Sequence, residues 1–276
     1  MTTTASRTTP IDQFNALPAS IRRGGGRAHE VYWTASKPSP ITDPAATSFS
    51  FGSYDPGPIV NFGRKRLTFS FLSARTGTVQ QGESPWEFLL AKHLETVPSV
   101  GDYRLHGHRA VLVGPDGERC SYGPDAVWTG IDGTVTCAEV KASAGYFAEP
   151  ATAALLDVAE RGLAAGGIRF ARITSDALRE DRRREFNVCR AFADGRGRIG
   201  DDVPDRAQDA LAGGPLALGA LGERLGIDAP SRVRIVNTLM VRRIAAYDLS
   251  DAVTPDLCVT AAPLAKPAPD LAALII

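Results

Sequence analysis

Asp125, Glu139 and Lys141 stand in the pattern Pro124-Asp125 followed by Glu139-Val140-Lys141, two carboxylates and an ammonium within one short stretch of chain. Carboxylate oxygens are the natural ligands of hard divalent cations such as Mg²⁺. Hydrolysis of a phosphodiester is the reaction that most needs such a set, because the cation stabilises the attacking and leaving oxygens. A cation or base beside the attacking water completes it, and Lys141 is placed to serve. Residues two apart in a strand share a face, so Glu139 and Lys141 point the same way and the Val140 carbonyl is left as a further ligand.

Whether Asp125 joins them depends on strand register. A two-residue hairpin at Asp132-Gly133 would pair Asp125 with Val140 and turn it away from Glu139. A three- or five-residue loop centred on Asp132 pairs Asp125 with Glu139 instead. The site therefore requires the odd loop. Glu87, on a helix ahead of the strands, would supply a third carboxylate.

Several elements must position these groups. Ser84-Pro85-Trp86-Glu87 opens a helix, with Ser84 as cap, Pro85 at the first position and Glu87 at the capping-box spacing. Phe88, Leu89, Leu90, Leu94 and Val97 form its apolar stripe. Tyr103–Val113, Tyr122–Thr129 and Thr134–Lys141 are strand-like. Pro150 to Ala165 reads as a helix stopped by Gly166-Gly167, and Arg169–Ile173 as one more strand. Helix, three strands, helix, strand predicts an α/β fold with a mixed sheet flanked by helices. A Gly, Asp, Arg and Pro stretch at 195–205 marks a linker. Beyond it Leu216–Leu225 and Ser231–Ala246 read as helices and Tyr247–Thr260 as a hairpin, the order of a small winged-helix-like domain.

The boundaries that follow are a basic, partly disordered arm at 1–60, rich in Thr, Ser, Pro and Gly; a catalytic domain at 61–195; the winged-helix-like unit at 206–262; and a loose tail at 263–276. Formal net charge is zero, but its distribution is uneven. Residues 1–82 hold nine Lys/Arg against four Asp/Glu, whereas 83–160 hold five against twelve. An acidic centre beside basic flanks suits a cation-dependent site that holds a polyanion. Arg232, Arg234, Arg242 and Arg243 lie in the helix read at Ser231–Ala246 without an acid among them, which suits DNA docking or a transposase partner. The arginines of 179–190 alternate with acids and read as a solvated helix face.

His106 and His108 share a strand face. Oxygen ligands suit phosphoryl transfer better than nitrogen, so both are expected in structural or surface roles. The four cysteines lie far apart without a C-x-x-C pair, which argues against a zinc ribbon or disulfide framework and for reduced thiols. Cys120 and Cys137 read as small core residues, and Trp86 and Trp128 as core anchors. No apolar run long enough for a membrane span and no signal peptide is evident, so a cytoplasmic protein without membrane association is expected.

On Glu83-Ser84-Pro85-Trp86-Glu87-Phe88-Leu89, Val100, Tyr122-Gly123-Pro124-Asp125, Glu139-Val140-Lys141, Ile173-Thr174 and Glu185-Phe186-Asn187, the stretch from Gly82 to about Arg190 resembles the TnsA-like endonuclease subunits of heteromeric transposases. Residues 208–260 are similar, with poorer specificity, to the family's C-terminal winged-helix region. The resemblance implies a restriction-endonuclease-like PD-(D/E)xK domain in which Glu87, Asp125 and Glu139 bind Mg²⁺, with Mn²⁺ able to substitute, and Lys141 assists the nucleophile. It further implies double-stranded DNA as substrate and a transposase subunit as partner. One departure is that the family's first strand commonly carries a Gln-Pro element, where this chain has Leu105-His106-Gly107-His108-Arg109.

Overall fold

Ser84 takes extended backbone angles and its Oγ accepts the Glu87 N–H at 3.1 Å, which satisfies one free donor at the start of helix α1, Pro85–Thr96. The reciprocal bond of a capping box is redirected, since the Glu87 carboxylate takes the N–H of Glu83 at 2.8 Å. These contacts belong to a computed structural model that describes residues 31–32, 48–57, 59, 67–114, 117, 119–268 and 270–271. The chain folds as a mixed α/β structure with several sheets.

The central sheet has the order β10-β9-β8-β5, from Arg169–Thr174, Val135–Lys141, Ala126–Gly130 and Val100–Leu105. β8 runs antiparallel to both β5 and β9, and β10 is parallel to β9. A parallel pair needs a crossover, which the short α2 (Gly145–Ala148) and α3 (Pro150–Ala165) provide. Alternation along β8 serves both layers: Ala126 packs with Leu90, Ala91 and Leu94 of α1, while Val127 packs with Leu155, Leu156 and Leu163 of α3. Each buried leucine contributes roughly 2 kcal/mol through removal from water.

The β8–β9 turn has the required odd length. Thr129 pairs with Val135, the Gly130 N–H reaches the Thr134 carbonyl at 2.8 Å, and Gly133 adopts φ +83°. That is a three-residue loop with a left-handed glycine. Trp128 packs, partly buried, in the core beneath α1 and Cys137 is fully buried, as expected of both.

Two expected strands prove to be broken, each at a point that matters. Tyr103–Val113 divides into β5 and β6 (His108–Val113) at His106-Gly107, and Tyr122–Thr129 divides into β7 (Arg119–Tyr122) and β8 at Gly123-Pro124-Asp125. β6 and β7 leave the central sheet for a second one of order β1-β7-β6-β2, with β1 at Val31–Tyr32 and β2 at Ser48–Ser53. The pairing passes from Leu105↔Ala126 to Ala110↔Tyr122, so four residues of one strand oppose three of the other. This bulge bends the long hairpin. Glycine, with its conformational freedom, and proline, without an N–H to give the ladder, are the residues that permit it.

The expected arm reaches into the fold, because β2 is antiparallel to β6 and Phe51 is fully buried; residues 1–30 and 33–47 lie outside the described residues. Of the strand expected from Arg64, the described part is β3, Phe69–Leu72, paired with β4, Val79–Gly82. After β10 come α4 (Ser175–Leu178) and α5 (Arg182–Asp194). The expected linker ends in a helix, α6 at Val203–Ala212, whose Val203, Ala207 and Leu211 are buried at a spacing of four. Then follow β11 (Leu216–Ala217), α7 (Leu218–Arg224), α8 (Arg232–Val241), β12 (Ala245–Ala246) and β13 (Cys258–Ala261), the strands ordered β11-β13-β12. The tail expected to be loose returns to the body: Leu271 is fully buried and its carbonyl meets His108 Nε2 at 2.9 Å. Among the described residues no helix is long and apolar enough to cross a membrane.

Glu95 locks α1 to its surroundings. Its buried carboxylate accepts from Ser73 Oγ and Tyr103 Oη at 2.6 Å each, from the Ala74 N–H at 2.7 Å and from the Arg75 N–H at 3.2 Å. Glu95→Ala leaves those donors buried and unpaired, and a urea melt is expected to show a loss of about 3–5 kcal/mol. A second expectation concerns acid. Burial, and then the charge of Arg184, lowers His93 to about 4, and burial lowers His108 to about 4. The unfolded chain takes up these protons near pH 6.5 and the folded one only near pH 4. Their contribution to stability is therefore complete above pH 6.5 and falls between those values, by up to about 3 kcal/mol per histidine. Asp125, raised by burial, works in the opposite sense over this range, so the comparison is made in an Asp125→Asn background, where denaturant midpoints should fall roughly half as steeply once His93→Gln is added.

Candidate active site

The two strand breaks face each other. The His106 N–H donates to the Asp125 carbonyl at 3.1 Å, so the bulge residue and the aspartate are tied through their backbones. His106 has φ +51°, a left-handed conformation uncommon for a residue with a side chain. Held there, its Nε2 lies 2.7 Å from Glu87 Oε2. Glu87, His106 and Asp125 each bring one ligand atom to within 4.8 Å of the others. The Val140 N–H donates to Asp125 Oδ2 at 2.7 Å, which fixes that carboxylate against β9.

Glu139 stands on the far side of Lys141. Lys141 Nζ is 2.5 Å from Glu139 Oε1 and 3.5 Å from Asp125 Oδ2, and Tyr122 Oη donates to Glu139 Oε2 at 2.9 Å. Thus the odd hairpin brings Asp125, Glu139 and Lys141 together, and the N-terminus of α1 adds Glu87. The group with ligand spacing is Glu87, His106 and Asp125, however, and Glu139 is joined to it through Lys141. The Val140 side chain is buried under α1. The sequence led to a structural or surface role for His106; the structure seats its imidazole against Glu87, which agrees with a structural role, and also brings it within ligand spacing of Asp125. The bulge, a feature of two strands changing sheets, makes the difference. A turn-prone His-Gly pair inside a strand-like run was the available signal.

Charge is concentrated here beyond what burial tolerates unaided. Asp125 is buried, and burial together with the nearby Glu139 charge raises it well above the usual carboxylate range, against the opposing pull of Lys141. Burial works against charge on Lys141 too, but Asp125 and Glu139 outweigh it and raise the ammonium's pKa. Glu87 shows the reverse balance: burial pushes it up, and the hydrogen bond and charge of His106 bring it down overall. For His106 burial pushes down, and Glu87 and Asp125 raise it overall. Two internal ion pairs result, Glu87 with His106 and Asp125/Glu139 with Lys141. Burial raises Tyr122 and Cys137 well above their ordinary values, so neither ionises near neutral pH.

The four arginines proposed from the sequence divide. Arg232 is turned inward, its Nε on the Ile227 carbonyl at 3.2 Å, and Arg243 reaches the Gly101 and Pro263 carbonyls. Arg234 and Arg242 are exposed and bracket the loop after α5, at the carbonyls of Arg198 and Gly197. α8 itself is a core helix: Ile235 through Val241 are all buried, and Asn237 and Thr238 bond to Asp194 at the end of α5.

No protein-family model matches the chain, and no curated protein compared with it matches either. A direct measurement can test the electrostatics. Asp125→Asn removes a disfavoured buried charge and keeps an acceptor for the Val140 N–H, so the metal-free variant is expected to melt a few degrees above wild type, about 1 kcal/mol for a chain of this size. A lower melting temperature would mean that the aspartate stabilises the fold.

Proposed function

We propose that this chain is a metal-dependent endodeoxyribonuclease of the restriction-endonuclease-like PD-(D/E)xK class. Within that class, the reading is a TnsA-like subunit that cuts one strand at each transposon end while a partner transposase cuts the other. The observation that carries it is the convergence of Glu87, Asp125, Glu139 and Lys141 at one end of the central sheet. The sheet supports the class as well, since helix, antiparallel strands, crossover helix and parallel strand follow in the anticipated order. In the C-terminal part, helix, strand, two helices and two strands with order β11-β13-β12 support a winged-helix reading.

The donor set fits a divalent cation. Glu87 and Asp125 offer carboxylate oxygens beside an imidazole, with one ligand atom from each of the three within 4.8 Å of the others. Mg²⁺, or Mn²⁺ in its place, would be held by Glu87 and Asp125, with Glu139 and the Val140 carbonyl as further ligands. When bound, it supplies Lewis-acid stabilisation of phosphate oxygens and lowers the pKa of water. Lys141, kept as an ammonium by its two carboxylate neighbours, acts as a positioned cation that orients the attacking water and offsets charge developing on phosphorus. It does not act as the base while those partners are ionised. Tyr122 holds Glu139 in orientation, and Val140 does the same for Asp125 through its N–H. The products would be a 3′-hydroxyl and a 5′-phosphate.

Double-stranded DNA needs basic surface outside the acidic site. Arg234 and Arg242, with Arg196 and Arg198 around Gly197, offer exposed guanidinium groups to phosphates. The experiment is nicking of supercoiled plasmid with Mg²⁺ or Mn²⁺, alone and with a partner transposase. Wild type is expected to nick, and Asp125→Ala and Lys141→Ala are expected to lose at least about 100-fold, the scale for removing a positioned electrostatic or acid–base group. Nicking retained by either variant would sink the site assignment. A stand-alone nuclease of the same class would nick fully without the partner.

A further inference from the structure

We propose that His106 is a metal ligand, and that the site therefore takes a divalent transition cation such as Mn²⁺ in preference to Mg²⁺. The inference rests on the metal-dependent reading above and specifies the ion. Two cis ligands about 2.1 Å from a common ion lie about 3 Å apart. His106 Nε2 and Glu87 Oε2, at 2.7 Å, already have nearly that separation, and an oxygen of Asp125 completes a trio within 4.8 Å. The backbone aims the ring there at a cost: φ +51° at His106 is maintained by the hydrogen bond from its own N–H to the Asp125 carbonyl.

Selectivity follows from the donor atoms. Mg²⁺ dehydrates reluctantly and binds oxygen, usually through one or two carboxylates with several waters retained. First-row transition cations accept imidazole, and Mn²⁺ accepts carboxylate and imidazole together. Two carboxylates and one imidazole thus shift preference from Mg²⁺ toward Mn²⁺. Binding would release to solvent the proton that Nε2 shares with Glu87, freeing the Nε2 lone pair for the ion, and the hydrogen bond would give way to a shared ligand position.

The test uses the full chain freed of metal, titrated calorimetrically with MnCl₂ and MgCl₂, and pulsed electron paramagnetic resonance of the Mn²⁺-loaded protein. Nitrogen-14 modulation of the Mn²⁺ echo is expected in wild type and absent in His106→Ala and His106→Asn; asparagine tolerates the left-handed backbone and guards against misfolding. Mn²⁺ is expected to bind at least tenfold tighter than Mg²⁺, and both variants to lose about 10–100-fold for Mn²⁺ with little change for Mg²⁺. Mn²⁺ binding that Asp125→Asn abolishes, but without nitrogen modulation, would overturn His106 as ligand and leave the metal site standing. Mn²⁺ binding unaffected by Asp125→Asn, or no binding of either ion, would overturn the proposed site together with this inference.

Discussion

Glu87, Asp125 and Glu139 are all buried, and like charges this close cannot remain ionised together without cations among them. The structure meets that demand twice, with His106 against Glu87 and with Lys141 between Asp125 and Glu139. Each compensation depends on backbone geometry elsewhere. Lys141 reaches both carboxylates only because the Gly130–Thr134 turn has odd length and sets Asp125 opposite Glu139. His106 reaches Glu87 only because the long hairpin carries an extra residue where it changes sheets. A one-residue change in either place would turn a side chain to the other face and leave a buried carboxylate without its partner.

Much of this was legible in the chain. Ser84 and Pro85 marked the start of α1, Gly166-Gly167 marked the end of α3, and parity around Asp132 tied Asp125 to Glu139 through nothing but the period of a strand. The pieces that stayed hidden depend on tertiary structure. Tyr103–Val113 and Tyr122–Thr129 read as single strands because β-favouring residues flank the breaks on both sides; only pairing across the hairpin reveals that four residues oppose three. With that bulge unseen, His106 looked like one more strand residue. Helix α6 was obscured by its setting, since the Gly-Asp-Arg-Pro composition before it dominates the apolar spacing of Val203, Ala207 and Leu211. Leu271 shows the same limit from the other direction: its burial depends on β6 lying beneath, and its neighbours in sequence are ordinary tail residues.

The basic helix at the C-terminus shows how charge in sequence differs from charge in space. Arg232, Arg234, Arg242 and Arg243 form an uncompensated run on paper. In the fold Ile235–Val241 is core, and the face that would have to enter a groove carries Asn237 and Thr238, bonded to the end of α5. All four arginines reach backbone carbonyls within the protein, and Arg232 and Arg243 are partly buried as they do so. DNA contact through this unit, if it follows the proposed reading, therefore belongs to the exposed guanidinium groups around Gly197 rather than to an inserted helix.

The energetic direction of the cluster sets Asp125 apart from Glu87. A structural ion pair holds its members near or beyond their ordinary ionised range, as Glu87 is held by His106. Asp125 is held the opposite way, with burial and Glu139 against its charge and Lys141 only partly offsetting them. An asparagine in its place would keep the Val140 bond without that cost, so the carboxylate is not explained by stability. On the proposed reading, a divalent cation beside Glu87 and His106 would reverse the balance by adding positive charge, and would stabilise the ionised aspartate in proportion to its own binding. Under that proposal, binding of the ion would offset the stability that Asp125 costs, which is the relation expected of a carboxylate placed to hold a cation.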